Sequence, residues 1–199
     1  MLKIITMPLG AYQTNCYLVS SGASNKCVAI DPGYNPGTIL NRAEQENLEI
    51  EAILLTHGHF DHVGAVREVA AETDCRVYLC GDDLSLPPAF TAGPLYYTDL
   101  YSDGDTVEIA GLTFHVLATP GHTPGSVCLQ CEDVLFSGDT LFAGSCGRTD
   151  LPGGSWEQMQ ESLHKLSTLS QNLTIYPGHG PSSTLSGEKA TNPYMKGDL

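Results

Sequence analysis

A layered α/β domain is the fold class this sequence predicts, and three observations predict it. Short apolar, β-branched runs recur along the chain, turn residues bound many of them, and three windows between them carry apolar residues at helical spacing. Many strands with a few interspersed helices form sheets whose faces those helices must cover.

Strands are expected at residues 3–7 (KIITM), 16–20 (CYLVS), 27–31 (CVAID), 52–56 (AILLT) and 76–80 (RVYLC). They continue at 106–110 (TVEIA), 112–119 (LTFHVLAT), 126–131 (SVCLQC), 133–139 (DVLFSGD) and 173–178 (LTIYPG). SGASN at 21–25, SDGD at 102–105 and the pair Ala110 and Gly111 supply the turns. The helices are expected at 36–48, with Ile39, Leu40, Ala43 and Leu48 to one side after Pro36, and at 62–73, with Val63, Val66, Val69 and Ala70. A third, at 155–170, has Ser155 as its cap and carries Met159, Leu163 and Leu166. Residues 87–103, PPAFTAGPLYYTDLYSD, read as a long surface loop rich in aromatics, and Tyr96 and Tyr97 are candidates for a substrate-facing wall.

The 199 residues suit one domain, 1–199, large enough to bury a core without disulfide staples. Seven cysteines are an odd number without framework spacing, which fits reduced thiols. Cys128 and Cys131 form a CxxC, but on a strand these positions point to opposite faces, so a redox or zinc pair is not expected there. The N-terminal MLKIITMPLGAYQTN is too interrupted for a secretory signal and no run approaches transmembrane length, so a cytoplasmic protein without a membrane partner is expected. Nine lysines and arginines, scattered singly, stand against 23 acids for a net charge of −14. Phosphate neutralisation needs clustered cations, so nucleic acid is not an expected partner.

The chemistry is concentrated in LLTHGHFDHVGA, residues 54–65, where three of the seven histidines and an aspartate follow an apolar strand. His57, His59, Asp61 and His62 do not share one helical face, so a tight loop suits them better. Gly58 is expected to take backbone angles closed to other residues there. Asp61, near the start of a helix, is kept ionised by the free amides and the helix dipole. The other candidates stand in the same relation to a strand: His122 after LTFHVLATPG, Asp139 at the end of VLFSGD and His179 after LTIYPG. In layered α/β proteins such strand ends share one edge, so residues far apart in the chain converge. Pro120, Gly121 and Pro124 present His122 on a stiff bend. Five histidines and two aspartates are donors typical of zinc, manganese or iron. Seven ligands exceed one tetrahedral ion and suit two ions about 3.5–4 Å apart with a shared carboxylate and water. His115, within a strand, and His164, on a helix, fall outside the pattern.

THGHFDH resembles the HxHxDH signature of the metallo-β-lactamase superfamily, and ATPGHTPGS, LFSGDT and YPGHG resemble its later metal motifs in order. FAGSCGRTDLPGG and YPGHGPSSTLSGEKATNPY are similar to the short glyoxalase II-type, hydroxyacylglutathione hydrolase-like members. The resemblance spans essentially the whole chain. It implies an αββα four-layer sandwich, with His57, His59 and His122 on one metal, Asp61, His62 and His179 on the other, and Asp139 bridging. It further implies two divalent ions, zinc first and iron or manganese as alternatives, and a metal-bridging water as the attacking group. Asp31 in AIDPG matches a residue that supports the ligand loop from behind. Only 20 residues follow His179, so the C-terminal helical domain that holds glutathione in two-domain members is expected to be missing.

The implied reaction is hydrolysis of a thioester such as S-lactoylglutathione. Asp61 is both ligand and candidate proton acceptor, Ser126 a supporting hydrogen-bond donor, Arg148 either a contact for a substrate carboxylate or half of a structural salt bridge. Cys146 reads as loop packing. GRTD also resembles the iron-dependent persulfide dioxygenases, whose ion would fall to His57, His122 and Asp139. Lactone or β-lactam hydrolysis and a non-catalytic metal-binding role are further alternatives. The sequence carries no signal for oligomeric state.

Overall fold

Strands such as Lys26–Ile30 and Val134–Gly138 are buried on both faces, because apolar residues continue through both phases of their alternation. The computed structural model describes residues 2–196. One sheet is formed, in spatial order, by β1 (Lys3–Leu9), β2 (Thr14–Ser20), β3 (Lys26–Ile30), β4 (Glu49–Leu54), β5 (Arg76–Cys80) and β6 (Asp99–Tyr101). The first three strands are antiparallel, and β3 to β6 run parallel. Parallel neighbours need crossovers. These are α1 (Pro36–Gln45), then α2 (Phe60–Val63) with α3 (Val66–Thr73), then a 3-10 turn at Gly81–Ser85 followed by α4 (Pro88–Thr91).

The second sheet contains β7 (Thr106–Ile109), β8 (Leu112–Ala118), β9 (Val127–Cys131), β10 (Val134–Gly138), β13 (Thr174–Pro177) and β14 (Ser183–Thr184), in the order β14-β13-β10-β9-β8-β7. A small hairpin, β11 (Leu141–Phe142) with β12 (Ser145–Cys146), forms a separate two-stranded sheet. α5 (Trp156–Ser167), α6 (Leu185–Thr191) and α7 (Pro193–Lys196) complete the elements.

Three apolar layers hold the stack together. Tyr17, Val28 and Leu54 of the first sheet meet Phe114, Leu129 and Phe136 of the second in the central layer. The opposite phase of the first sheet, with Leu18, Ala29 and Ile53, packs under Ile39 of α1 and Val69 of α3. Leu135 and Ile175 of the second sheet pack under Met159, Leu163 and Leu166 of α5 and Leu185 of α6. The result is an αββα four-layer sandwich.

All ten expected strands are present, and their phase explains the cysteines. Cys128 lies in the layer beneath α5 and Cys131 in the layer between the sheets, on opposite faces as alternation requires. None of the seven cysteines forms a disulfide. Ser155 caps α5, its hydroxyl accepting from Gln158 N.

Two expectations are corrected. The helix expected over 62–73 is two, α2 and α3, parted at Gly64 and Ala65. The loop expected at 87–103 contains α4 and the edge strand β6. Its Tyr101 is buried and donates to Leu55 O, whereas Leu100 is exposed, and three residues are too few for alternation to announce a strand. Residues 185–196, to which the sequence assigned no element, form α6 and α7; Thr184 caps α6 by accepting from Gly187 N.

Candidate metal centre

The strand ends do share one edge. His57, His59, Asp61 and His62 follow β4, with His59 as the cap of α2. His122 lies on the β8–β9 turn, Asp139 directly follows β10 and His179 follows β13. Three overlapping groups of these side chains have ligand atoms within 4.8 Å of one another: His57, His59 and His122; His57, His62 and Asp139; Asp61, His62 and His179.

Asp139 occupies the middle. Its Oδ1 is 3.4 Å from His62 Nε2, and its Oδ2 is 3.5 Å from both His122 Nε2 and His179 Nε2. His59 Nδ1 lies 2.9 Å from His122 Nε2, and Asp61 Oδ2 lies 3.3 Å from His179 Nε2. All seven predicted ligands therefore meet, with His179 the most exposed of them.

The far side of most rings is occupied. His57 Nδ1 contacts the Thr56 hydroxyl at 3.1 Å, His62 Nδ1 donates to Asp31 at 2.9 Å, and His122 Nδ1 donates to Arg148 O at 2.7 Å. His179 Nδ1 donates to Tyr12 O at 3.2 Å. Such contacts fix the ring and leave the other nitrogen as the ligand. The buried Nε2 atoms of His57, His59 and His62 and Asp139 Oδ1 have no hydrogen-bond partner among the described residues. An unsatisfied buried polar atom costs about 1–3 kcal/mol, so this concentration fits cations. The donor set is nitrogen and carboxylate oxygen, suited to zinc, iron or manganese.

Electrostatics agree with that use. Burial, with the neighbouring rings His62, His122 and His59, holds His57 well below the ordinary histidine range, so it stays neutral. Burial, with His122 and His62, brings His59 down to about 4. Burial works to protonate Asp61, but the hydrogen bonds from His179 and Thr14 and the charge of His62 outweigh it and keep the group ionised. Asp139 is likewise held below its ordinary value, the charge of His62 overcoming burial.

The supporting residues are well ordered around this set. Asp31 has left-handed backbone (φ 51°), and its carboxylate accepts from Thr56 N at 2.8 Å and the Thr56 hydroxyl at 2.6 Å as well as from His62. Ser126 braces the His122 turn, its hydroxyl accepting from Thr123 N at 3.1 Å. The first hairpin secures the last ligand. Asn15 Nδ2 donates to Pro177 O and Gly180 O at 3.0 Å, Asn15 N donates to Gly178 O at 2.7 Å, and Thr14 bridges to His179.

Other candidates are placed differently. Arg148 presents its backbone carbonyl to His122, while its guanidinium grips Asp150 at 2.7 and 2.8 Å, both side chains exposed, so the salt bridge is what forms. Tyr96 packs on the core beside α3 with the Arg67 guanidinium 4.9 Å from its ring centre, and Tyr97 is exposed. Neither ring is among the aromatic neighbours of the histidines. From that stretch it is Phe90 that approaches, 6.4 Å from His59, and Phe142 lies 6.2 Å from His179. Gly58 does not take the left-handed conformation expected of it. It is needed for close approach, since a Cβ there would meet Leu95 at 3.0 Å and Asp83 at 3.3 Å. Gly121 does have positive φ, 136°.

Sequence reasoning overlooked Thr14, Thr56, Phe90 and Asp83. Asp83 was accessible to the same rule that found the ligands, since it follows the apolar strand β5 by three positions. Thr14 carries no such signal.

Comparison with known proteins agrees with the geometry. The model of the "Metallo-beta-lactamase superfamily" matches residues 9–179. A probable metallo-hydrolase, YqgX, of Bacillus subtilis is 38% identical over 98% of this chain and 99% of its own, and the hydroxyacylglutathione hydrolase GloC of Haemophilus influenzae is 32% identical over 98% of both. Among solved structures, the BLEG-1 B3 metallo-beta-lactamase superposes with a TM-score of 0.89 at 37% identity, covering 98% of this chain and 99% of that one. TTHA1623 in a di-iron-bound form gives 0.85 at 38%, covering 96% and 99%. ETHE1 from Myxococcus xanthus gives 0.85 at 29%, covering 98% and 85%. Fold, ligand motifs and relatives over nearly the full length lead to one conclusion: the chain belongs to the metallo-beta-lactamase superfamily.

Proposed function

We propose that this protein is a dinuclear metal-dependent hydrolase of thioesters such as S-lactoylglutathione. The observation that carries the reading is the convergence of seven ligand side chains on buried, unpartnered nitrogen and oxygen atoms. His57, His59 and His122 would hold one cation, Asp61, His62 and His179 the other, with Asp139 between them. Two such ions, zinc first among the candidates, supply a water made nucleophilic at neutral pH and a polarised carbonyl.

The chain's own residues do the rest. Asp61, held ionised and fixed by Thr14 at 2.8 Å, offers a carboxylate that orients water as a hydrogen-bond acceptor. Asp31, Thr56, Tyr12 and the Arg148 carbonyl hold the rings still. Phe90 and Phe142 bring apolar surface to the centre, which limits water there. A thiolate is a weak base and departs without a dedicated acid; water would be the attacking group, so no serine or cysteine nucleophile is needed. No helix among the described residues is long and apolar enough to cross a membrane.

A second reading, an iron-dependent persulfide dioxygenase, draws on the likeness to ETHE1. One experiment separates the two: metal content of purified protein, S-lactoylglutathione turnover, and oxygen uptake with glutathione persulfide. Thioester turnover with two bound ions supports the hydrolase. Oxygen uptake without thioester turnover decides for the dioxygenase, and active protein with no bound metal refutes both.

A further inference from the structure

Asp83 belongs to none of the metal motifs, yet its carboxylate is fully buried between the two loops that carry His57, His59 and His122. Oδ2 accepts from Gly58 N at 2.6 Å and from the Thr123 hydroxyl at 3.0 Å, and Oδ1 accepts from Gly125 N at 2.7 Å. Gly58 separates the first two histidines, and Thr123 directly follows the third. All three partners donate, which matches an acceptor-only carboxylate. The chain is shaped to admit it: a Cβ at Gly125 would stand 2.7 Å from both Cγ and N of Asp83.

A buried carboxylate requires compensation. The lysine and arginine ion pairs of the described residues go elsewhere, to Glu46, Glu49, Asp99, Asp103 and Asp150. Neutral donors satisfy the oxygens of Asp83, and those donors are chain neighbours of the histidines: Gly58 lies between His57 and His59, and Thr123 follows His122. Asp31 touches its histidine directly, accepting from His62 Nδ1 at 2.9 Å, whereas Asp83 acts through the backbone and Thr123. Burial pushes the Asp83 carboxyl up, while the hydrogen bonds of Thr123, Gly125 and Gly58 pull it back.

We infer that Asp83 is the positioning residue of the first cation site: it clamps the His57–His59 loop to the His122 loop and places a negative charge behind them. The inference rests on the two-cation reading of the centre, and its test does not depend on hydrolysis.

Zn²⁺ is titrated into the metal-free full-length protein against a competing chelator. Wild type is expected to bind two equivalents. Asp83→Asn keeps the shape but sets an amide donor against an N–H or O–H, and one equivalent is expected to weaken about 10- to 100-fold while the other keeps its affinity. Thr123→Val, which removes one donor and no charge, is expected to weaken the same equivalent by a smaller factor. His59→Ala identifies that equivalent, because adding Asp83→Asn to it leaves the remaining affinity unchanged. Unaltered affinities in Asp83→Asn overturn the inference. So does equal weakening of both equivalents with a lower melting temperature of the metal-free protein, the mark of a general brace. Should Asp83→Asn not fold, Thr123→Val decides by the same criteria. A wild-type stoichiometry of one overturns the two-cation reading instead, and whether Asp83→Asn weakens that one ion still decides the role of Asp83.

Discussion

Asp31 Oδ2 lies 2.9 Å from His62 Nδ1, and this contact determines which nitrogen of the ring faces Asp61 and Asp139. The same carboxylate takes two hydrogen bonds from Thr56, so one side chain orients a ligand and closes the turn before it. Asp31→Asn is expected to weaken the cation held by His62 about 10- to 100-fold. It should also lower stability of the metal-free protein by about 1–3 kcal/mol, through a donor left facing donors. Chelator competition and urea denaturation check the two effects. Unchanged zinc affinity would show that Asp31 merely fills space.

Asp139 lies between the histidines, 3.4 Å from His62 and 3.5 Å from both His122 and His179. Asp139→Ala is expected to remove thioester hydrolysis while far-ultraviolet circular dichroism and the cooperative melt persist, because the side chain packs against ligands rather than core. The same holds for His57→Ala. Turnover at the wild-type rate by either purified variant contradicts the site.

The His59 ring, brought down to about 4, differs from an ordinary unfolded histidine near 6.5. Its folded form is the harder to protonate. Between about pH 6.5 and 4 the unfolded chain binds a proton that the folded one refuses, so the contribution of His59 to stability falls as pH falls through that window. The ring-proton resonance of His59 in the metal-free protein is expected to titrate near pH 4. A midpoint near 6.5 would show that the ring is open to water.

Burial pushes the Cys146 thiol up to about 11, which leaves little thiolate at neutral pH. Alkylation by iodoacetamide is expected to be slow at pH 7.5 and to accelerate about tenfold per pH unit towards 11, since the thiolate is the reacting form. Cys146→Ser is expected to retain hydrolysis, as befits loop packing. Loss of turnover on this change would restore a thiol nucleophile to consideration.

Phe90, rather than Tyr96 or Tyr97, faces the histidines. If it covers about half a side chain's worth of substrate, Phe90→Ala raises KM by about fivefold, near 1 kcal/mol. Tyr96→Ala and Tyr97→Ala should leave KM unchanged. The reverse pattern in steady-state kinetics would return the tyrosines to the substrate wall.

The ligands were legible because metal chemistry restricts residue type and the strand restricts position. Histidine or aspartate just past an apolar run is an uncommon combination, and the run itself says which edge it reaches. The four-layer sandwich came from the resemblance of the motifs, while the layered α/β class was legible from many short apolar strands with a few helices between them. Short elements were not. Three residues of β6 and four of α4 lie below the length at which a period can be seen, and their existence depends on partners such as Leu55 and Val77 far away in sequence. Supporting contacts escaped for another reason. The Arg148 contact to His122 uses a backbone carbonyl, which every residue possesses, and Thr14 is an ordinary strand threonine until His179 is brought against it.

The tether from Asn15 and Thr14 to the turn bearing His179 links the second strand to the next-to-last one. A chain emerging from the ribosome can therefore form its first sheet and even gather His57, His59 and His62 long before the pocket is whole. Ion capture at full strength has to wait for the closing segment to dock on the earliest hairpin. A truncated product would lack the final imidazole together with the anchor that holds it, and is expected to hold cations more weakly than a finished copy.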